Sequence, residues 1–513
     1  MVFHPFLIGL FPAVSFLAHN TGEMEYASVV PAAIASLALV LVALCICHVL
    51  LKDALKAGLI VSGFTIFFFS PFHVFTSLNN WLTDYSGGRL HITVAAFFMI
   101  WIVVISGYIY FFAKKATGLK KLNTIFNVVS VCLISSPVFT IAIPKFSERI
   151  EWSSIYQQQQ IEPVVAAPAP QSQLPDIYYI IMDRYAGPET LKTTYGFDNK
   201  DFLTYLRAKG FYVAADSAAN YPSTTQSLAS SLNLQYLKYV GKFVDTQSPT
   251  WIPLQTLLQD HKVGQFLKNM GYRYIHLGSW WEPTRKNKLA DETVYFVPFP
   301  ESFYTLYGTT MSYPISSALR VLDLRYEHWR GHRRQFENLL KKSAANGPKF
   351  VFAHFLLPHS PYVFGRNGEY VSFGHSSKQS LEASYIDQLI STNRLLQQTL
   401  DTLLSSKSAP IIIVQADEGP WPRRYELDEA NFDWRSATDA EIKQKMKILN
   451  SFYLPGVDSR ALYPTISPVN TFRVVFNLYF KTDLPLLPDE SFIYQKRRHP
   501  YDLLDISSRL RGN

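Results

Sequence analysis

The sequence predicts an α-helical transmembrane domain of about five spans, followed by an α/β domain with a mostly parallel sheet flanked by helices. Composition predicts the first part: of the 513 residues, 48% are hydrophobic and only 17% are charged, and the long uncharged stretches lie in the N-terminal third. Hydrophobic patterning predicts the second part. In the C-terminal two-thirds, apolar segments of strand length end at acidic residues or histidine and alternate with amphipathic helical patterns.

Five apolar segments in the N-terminal third are candidates for membrane spans. A spanning helix needs about 20 predominantly apolar residues, and the first segment is shorter and contains two prolines. A signal peptide or a re-entrant segment is the alternative for that segment, but it lacks a basic N-terminal region and a convincing cleavage site, which favours a first span. The predicted spans are Phe3–Ala18, Ala27–Leu51, Leu59–Leu78, Ile92–Ala113 and Ile125–Ile143.

The lysines of the short connecting loops predict the orientation in the membrane. Lys52 and Lys56 lie in one loop, and four lysines of the segment Lys114–Lys121 lie in another. The intervening loops are poor in lysine. Because basic loops stay on the cytoplasmic side, we expect a multi-pass protein of the plasma or inner membrane with a cytoplasmic N-terminus. Everything after the last span is then extracytoplasmic, in the periplasm or outside the cell.

Composition also predicts the domain boundaries. The transmembrane domain covers residues 1–145, and a linker rich in glutamine, proline and alanine covers 146–174. The remaining 175–513 read as one compact domain, because no repeat of solenoid period is present.

Residue usage argues against cysteine chemistry in the C-terminal domain and against nucleic-acid binding. All three cysteines, Cys45, Cys47 and Cys132, lie in the apolar third, so the C-terminal domain has no disulfide, cysteine-ligated zinc or cysteine nucleophile. The net charge of +8 comes with lysines that flank membrane segments. Since no basic patch with interleaved aromatic residues is present, we do not expect nucleic-acid binding.

Three predicted strands of the C-terminal domain end at residues that carry chemistry. Ile177–Met182 ends at Asp183, Pro410–Gln415 leads to Asp417, Glu418 and Gly419, and Phe350–Phe355 leads to a Pro-His-Ser-Pro element. Open α/β sheets place their ligands at the carboxyl edge of the strands. A helical pattern from Leu381 to Leu404 separates two of these strands.

A hydroxyl-rich segment beginning at Asn220 and containing Thr224 and Ser227 precedes another helical pattern. A turn into a helix N-terminus presents free backbone N–H groups and the positive end of the helix dipole, which suits an anion held against a nucleophilic hydroxyl. A simple Ser/Thr N-cap is the alternative explanation.

Taken in order, these elements resemble the alkaline phosphatase superfamily of sulfatase-like hydrolases and transferases. The resemblance covers roughly 175–480 and rests on Asp183, on Thr224 with Ser227 three residues later, on the segment Pro358–Pro361, and on Asp417–Gly419. Several spans before such a domain are similar to lipoteichoic acid synthases and lipid A phosphoethanolamine transferases. The resemblance therefore implies an alkaline-phosphatase-like sheet and a metal-dependent enzyme of the cell envelope.

The resemblance implies specific roles for these residues. It assigns Thr224 as the nucleophile, with Ser223 and Thr225 as rivals one position away. It also implies one divalent cation, which we expect to be Mn²⁺, Mg²⁺ or Zn²⁺. The implied metal ligands are Asp183, Thr224, Asp417 and Glu418.

Two positions depart from the family pattern. Glu418 stands where the family usually has histidine, which makes the expected ligand set all-oxygen, and Asn393 stands where many relatives have aspartate, which puts a second metal site in doubt. His359 is a candidate to contact phosphate or protonate the leaving group. For His354, in the middle of a strand, a structural role is the alternative to substrate contact. The predicted substrate-binding residues are His354, Arg184, Ser227 and Asn393. For Arg184, which could pair with a phosphate, a surface salt bridge is the alternative.

The leading hypothesis is a membrane-anchored phosphotransferase. It would move phosphoglycerol or phosphoethanolamine from a phospholipid donor to a glycan or glycolipid acceptor through a phospho-threonine intermediate. A phosphodiesterase or phosphatase of the same fold is the first alternative. A sulfatase is disfavoured, because threonine at position 224 cannot be oxidised to the formylglycine aldehyde of that family. A non-catalytic envelope scaffold is the remaining alternative, prompted by Glu418 and Asn393.

Overall fold

A computed structural model of the chain describes residues 1–86, 89–147, 155 and 174–511. It divides into two compact units. One comprises the described part of residues 1–149 together with Phe299–Leu324, and the other contains the remaining described residues. The predicted linker at 146–174 lies almost entirely outside the described residues. The domain boundaries predicted from sequence place 299–324 in the C-terminal domain, whereas this division groups that segment with the N-terminal helices.

The N-terminal unit is entirely helical in its described part. Three of its helices are long and apolar enough to cross a membrane: Tyr26–Leu51, Val94–Lys114 and Leu119–Ile143. Most of their side chains are exposed, as expected where lipid takes the place of a protein core. The helices of this unit that precede the sheet are α1 (His4–His19), α2 (Val30–Leu51), α3 (Ala54–Phe69), α4 (Pro71–Ser86), α5 (Val94–Lys114) and α6 (Leu119–Ser147).

Two of the five predicted spans differ from the expectation. The segment Leu59–Leu78 is not one helix but the pair α3 and α4, bent by 54° at Ser70, because Pro71 has no N–H with which to continue the ladder of α3. The first segment forms α1, which has 16 residues and is short for a bilayer core about 30 Å thick. The described residues therefore contain three helices long and apolar enough to span a membrane, four if the bent pair counts as one span, and a short apolar helix.

The second unit is built on a seven-stranded sheet with the order β2-β7-β6-β1-β5-β3-β4. Strands β1, β3, β4, β5 and β6 are parallel, and β7 runs antiparallel to both of its neighbours. This confirms the predicted fold class. The strands of the sheet are β1 (Ile177–Met182), β2 (Tyr212–Val213), β3 (Arg273–Leu277), β4 (Glu292–Val294), β5 (Lys349–Phe355), β6 (Ile411–Gln415) and β7 (Asn450–Tyr453), and β8 (Phe492–Tyr494) pairs with β9 (Leu503–Asp505) in a separate ribbon.

Helices flank this sheet. The longest is α16 (Leu381–Leu404), whose bounds equal those of the predicted helical pattern. The helices that follow the N-terminal six are α7 (Pro188–Thr193), α8 (Lys200–Ala208), α9 (Thr224–Asn233), α10 (Ile252–Gln259), α11 (Lys262–Asn269), α12 (Glu301–Gly308), α13 (Tyr313–Ala318), α14 (Leu324–Ser343), α15 (Phe373–Ser376), α16 (Leu381–Leu404), α17 (Arg423–Leu427), α18 (Asp439–Met446), α19 (Pro468–Phe480) and α20 (Ser507–Arg511).

Strand β1 lies at the centre of the sheet, and its side chains enter the hydrophobic cores on both faces. All six of its residues are buried. Because successive side chains of a strand point to opposite faces, Tyr178, Ile180 and Met182 enter the larger hydrophobic core on one face. Ile177, Tyr179 and Ile181 enter a second core on the other face. The sheet is therefore covered on both sides, which is the usual condition of a parallel sheet.

Candidate metal centre and active site

Three side chains that could ligate a metal converge at the carboxyl edge of the sheet. They are Asp183 directly after β1, His354 near the end of β5, and Asp417 two residues after β6. Their ligand atoms all lie within 4.8 Å of one another, and all three residues are buried. The strand register explains the convergence, because Ile181 of β1 pairs with both His354 and Gln415 on its two neighbours. Adjacent parallel strands therefore place these residues at the same height along the strand direction.

The same cluster contains buried polar atoms that have no hydrogen-bond partner. They are Asp183 Oδ1, His354 Nε2, Asp417 Oδ2 and Glu418 Oε2. Buried polar atoms without partners are costly and rare in folded proteins, so three carboxylate oxygens and an imidazole nitrogen left unpaired together indicate a site for a cation. Two carboxylates and one neutral imidazole are a donor set suited to Zn²⁺ or Mn²⁺. The residues fit a divalent metal ion.

A hydrogen bond behind His354 orients its ring. Its Nδ1 lies 2.8 Å from the hydroxyl oxygen of Thr284, so Nε2 points toward the carboxylates, 3.5 Å from Asp183 Oδ2. A second hydrogen bond of this kind is the usual support of a metal-binding histidine. His354 was predicted to contact substrate, with a structural strand residue as the alternative. The structure instead brings it together with the two aspartates.

Burial and mutual repulsion change the pKa values of the ionisable side chains in the cluster. Burial, then repulsion from Glu418, raises the pKa of Asp183, and the nearby cations Arg184 and Lys445 partly oppose that rise. Burial, then the charges of Asp183 and Glu418, raises the pKa of Asp417. Burial lowers the pKa of His354 to about 4. Its ring is therefore neutral at physiological pH, which is the form that binds metals.

Glu418 occupies a different position from the other predicted ligands. Its Oε1 accepts hydrogen bonds from Arg184 Nε at 3.2 Å and from Lys445 Nζ at 2.8 Å. Lys445 is fully buried, and its Nζ also donates to the Gly419 carbonyl at 2.8 Å and lies 3.2 Å from the ring centroid of Trp421. One oxygen of Glu418 is thus committed to two cations, and only Oε2 remains for a metal. The assignment of Glu418 as a ligand stays a prediction.

No pattern in the sequence indicated that Lys445 belongs to the site. It is one of three lysines within the segment 443–447, where an exposed, amphipathic helix is the ordinary expectation. Its role depends on a tight approach between α18 and the loop after β6. A Cβ at Gly419 would lie 2.3 Å from the Gln444 carbonyl oxygen, so only glycine permits this approach.

The proposed nucleophile lies at the first residue of α9. Ser223 is the N-cap and has an extended backbone. The side chain of Thr224 is half-buried, whereas that of Thr225 is buried. A hydrogen bond from the Thr224 side chain is one of the influences that lower the pKa of Asp417, against the larger effect of burial. Thr224 therefore lies beside the carboxylate cluster, and its role as the nucleophile stays a prediction.

Ser227 connects this helix to the loop after β6. Its hydroxyl donates to the backbone carbonyl of Asp417 at 2.6 Å, and the side chain is buried. Its backbone N–H donates to the Ser223 carbonyl at 2.8 Å. Ser227 was predicted to bind substrate. In the structure its hydroxyl bonds the start of α9 to the loop after β6, and substrate binding by Ser227 stays a prediction.

Three other predicted site residues differ in their surroundings. Arg184 has a left-handed backbone, with a φ of 60°, and joins the cluster through Glu418. Burial and the proximity of Arg184 hold the pKa of His359 well below its usual value, so His359 lies in the same neighbourhood and is neutral. Asn393 does not join the cluster. Its amide accepts a hydrogen bond from Tyr185 Oη at 2.5 Å and donates to Asn199 Oδ1 at 2.9 Å.

The family model described as Sulfatase matches residues 175–444, which is more than half of the chain. The chain belongs to the sulfatase family. The match contains every residue of the carboxylate cluster as well as Thr224, and it ends one residue before Lys445. The chain is therefore an enzyme of the alkaline phosphatase superfamily, as its resemblance to that superfamily predicted.

Solved structures similar to this sulfatase-family chain include three proteins of the same superfamily. The periplasmic domain of EcEptC from Escherichia coli is 12% identical, with 67% of this chain and 96% of that chain covered and a TM-score of 0.43. The lipooligosaccharide phosphoethanolamine transferase EptA from Neisseria meningitidis, an integral membrane protein, is 15% identical over 93% of this chain and 95% of that chain, with a TM-score of 0.40. An alkaline phosphatase superfamily protein from Vibrio parahaemolyticus is 13% identical over 69% and 83%, with a TM-score of 0.39. No curated protein matches the chain significantly in sequence.

Proposed function

We propose that this protein is a membrane-anchored phosphotransferase that uses Thr224 as its nucleophile. It takes a phospho-alcohol group, phosphoglycerol or phosphoethanolamine, from a phospholipid and passes it to an envelope glycan or glycolipid. The observation that carries this proposal is the half-buried Thr224 hydroxyl beside the Asp417 carboxylate, within a cluster whose unpartnered atoms suit a divalent cation. A hydroxyl in this setting is an activated nucleophile for phosphorus.

Asp183, His354 and Asp417 would hold the cation, with Thr224 completing the set. When bound, it supplies positive charge that lowers the pKa of the threonine hydroxyl and offsets charge on the phosphoryl oxygens. Lys445, which is buried, and Arg184, which is half-buried, add two positive charges beside Glu418. The N-terminal end of α9, where Thr224 is the first helical residue, adds backbone N–H groups oriented toward an anion.

The transfer has two balanced half-reactions. In the first, Thr224 Oγ1 forms a bond to phosphorus, the bond from phosphorus to the diacylglycerol oxygen breaks, and the threonine proton passes to that oxygen. In the second, the acceptor hydroxyl oxygen bonds to phosphorus, the bond from Thr224 Oγ1 to phosphorus breaks, and the acceptor proton returns to Thr224. His359, neutral and close to Arg184 and Lys445, is the candidate to carry the proton between these oxygens.

Sulfate-ester hydrolysis is the reaction suggested by the family name, and the residue at the nucleophile position argues against it here. The sulfatase aldehyde is formed from cysteine or serine, and oxidation of the secondary alcohol of threonine gives a ketone instead. The chain has Thr224 at this position, and its three cysteines lie in the apolar N-terminal helices. A phosphoryl group attacked directly by the hydroxyl requires no such conversion.

The decisive experiment uses the full chain, purified in lipid nanodiscs and loaded in turn with Zn²⁺, Mn²⁺ or Mg²⁺. Incubation with phosphatidylglycerol or phosphatidylethanolamine should release diacylglycerol and leave the corresponding head-group mass on the peptide that contains Thr224. Thr224→Ala is the control and should do neither. Diacylglycerol release at full rate without an acceptor would favour a hydrolase. A folded, metal-loaded protein that releases none from either lipid would contradict the proposal.

A further inference from the structure

The segment Phe299–Leu324 is an unusual feature of the chain. In sequence it lies between β4 and α14, inside the residues matched by the sulfatase family. In the structure it belongs to the unit of the N-terminal helices. It contains the two short helices α12 and α13 and is called the interfacial segment below. The chain enters it from the catalytic unit at Pro298 and returns at Arg325.

Polar and apolar contacts hold the interfacial segment to the N-terminal helices. The hydroxyl of Ser302 donates to the Ser28 carbonyl at 2.7 Å. The backbone N–H of Met311 donates to the Phe68 carbonyl at 2.8 Å. Leu306 packs against a small core formed by Ala13, Leu17 and Val29, and the rings of Tyr313 and Phe72 lie 6.1 Å apart.

All of these partners lie at the same end of the helices. Leu17 is near the end of α1, Ser28 precedes α2, and Phe68 is near the end of α3. The basic residues Lys52 and Lys56 lie at the opposite end, between α2 and α3. Because basic loops remain cytoplasmic, the interfacial segment contacts the outer ends of the spans.

The second half of the interfacial segment exposes apolar side chains. The exposed fractions are 70% for Ile315, 69% for Leu319 and 55% for Val321. Three large apolar side chains exposed within seven residues form the kind of patch that marks an interaction surface. The segment also contains Tyr304, Tyr307 and Tyr313, and tyrosine is enriched where a protein crosses the boundary between membrane and water.

We propose that the interfacial segment lies in the outer leaflet of the membrane, with Ile315, Leu319 and Val321 inserted among the lipid chains. Its continuity with the spans favours lipid as the occupant. Val30 and Ile34, at the beginning of α2 and close to Ser28, are 48% and 62% exposed on a helix that lipid surrounds. Ile315 lies on α13, and Leu319 and Val321 follow its C-terminal end. Interfacial segments bind at this depth by burying apolar side chains below the head groups.

The consequence is a second membrane attachment of the catalytic chain, in addition to the linker at 146–174. A loop that leaves the catalytic unit and returns to it within 26 residues restricts how far that unit can move from the lipid surface. An enzyme that acts on a lipid head group gains from such a restriction, because its substrate never leaves the bilayer. The attachment itself does not depend on the proposed chemistry.

Site-directed spin labelling of the full chain in nanodiscs tests the proposal. Cys45, Cys47 and Cys132 are first replaced by serine, and a single cysteine is then introduced by Ile315→Cys, Leu319→Cys or Val321→Cys. The nanodiscs contain phosphatidylethanolamine and phosphatidylglycerol. Accessibility to oxygen, which partitions into lipid, is compared with accessibility to a water-soluble nickel chelate. Phe373→Cys is the matched control, because Phe373 is an apolar residue of the catalytic unit that is 73% exposed.

We expect the three labels to be several-fold more accessible to oxygen than to nickel, and the label at position 373 to show the reverse. High nickel accessibility at 315, 319 and 321 would place the segment in water and overturn the proposal. Low accessibility to both reagents would also overturn it, since the patch would then be covered by protein, such as a second copy of the chain. A photoactivatable phospholipid should in addition crosslink the unmodified chain within residues 313–321, and its failure to do so would count against insertion.

Discussion

Nε2 of His354 lies 3.5 Å from a carboxylate oxygen of Asp183, and the two residues reach this position from adjacent parallel strands. Neither Nε2 of the histidine nor Oδ1 of the aspartate has a hydrogen-bond partner. The unpaired atoms of these two residues suit a divalent cation.

The first prediction concerns metal binding. His354→Ala and Asp183→Asn should abolish the rise in melting temperature that Zn²⁺ or Mn²⁺ produces, because a ligand is lost. Thr284→Val removes the hydroxyl that orients His354 and should weaken metal affinity by about 10–100-fold. His499→Ala, which changes a histidine far along the chain near the C-terminus, is the control and should bind metal normally. Metal content and calorimetric titration measure these effects, and unchanged affinity in His354→Ala would remove His354 from the site.

The second prediction concerns the nucleophile. Thr224→Ala should reduce diacylglycerol release by about 10³-fold or more, since removal of a nucleophile eliminates the covalent route. Thr224→Ser should retain part of the activity because the hydroxyl remains. Mass spectrometry should find the head-group adduct in the Ser223→Ala variant and not in Thr224→Ala. An adduct on Ser223 or Thr225 would show that the assignment is displaced by one residue.

The third prediction concerns the buried ion pair of Glu418 and Lys445, whose side chains are only 2% and 0% exposed. Lys445→Met should lower the free energy of unfolding by about 3 kcal/mol, because a buried carboxylate loses one of its two cationic partners. Lys445→Met combined with Glu418→Gln should recover part of that loss, since a neutral amide replaces the buried carboxylate and the remaining charge, that of Arg184, is 17% exposed. Denaturant titration followed by tryptophan fluorescence measures both. A double variant no more stable than the single one would contradict this account.

The fourth prediction concerns pH. Burial raises the pKa of Asp183 to about 7 and that of Asp417 to about 8, against about 3.9 in an unfolded chain. A carboxyl with a raised folded pKa stabilises the protein below its unfolded pKa, and that contribution is lost as pH rises through the folded pKa. The metal-free protein should therefore lose stability between about pH 4 and pH 8. Melting temperature against pH measures this, and Asp417→Asn should flatten the curve.

The same carboxyl groups must be ionised to bind a cation. Metal binding near pH 7 should consequently release protons, which titrations in buffers of different ionisation enthalpy detect. Metal uptake without proton release would show that both carboxyl groups are already ionised in the metal-free protein.

The fifth prediction concerns the loop after β6. In Gly419→Ala, the new Cβ would lie 2.3 Å from one backbone carbonyl oxygen and 2.8 Å from the next. The loop must shift, which should cost about 1–3 kcal/mol of stability and displace Asp417. Gly374→Ala is the matched control, because no atom lies within 4 Å of its Cβ position. Equal melting temperatures for the two variants would show that the loop has room to adapt.

Local patterns were sufficient for several elements of the fold. The bounds of β1 and α16 equal the predicted ones, because an uninterrupted β-rich apolar run and a helical repeat of leucines each depend on neighbours in sequence. The predicted strand Pro410–Gln415 begins one residue later, at Ile411. The bend at Pro71 was missed although its cause is local, since the apolar composition continues through it.

The sequence by itself determined which segments are apolar enough for a membrane. It also predicted β1, β5 and β6, three of the seven strands of the sheet, and the resemblance of Asp183, Thr224 and Asp417 to one family pattern. Only the tertiary structure decided that His354 joins the two aspartates, that Lys445 neutralises Glu418, and that residues 299–324 pack with the membrane helices. The physical reason is distance along the chain. Helices and strands form from contacts within a few residues, whereas these pairings join residues far apart in sequence and depend on strand register and on the packing of whole helices.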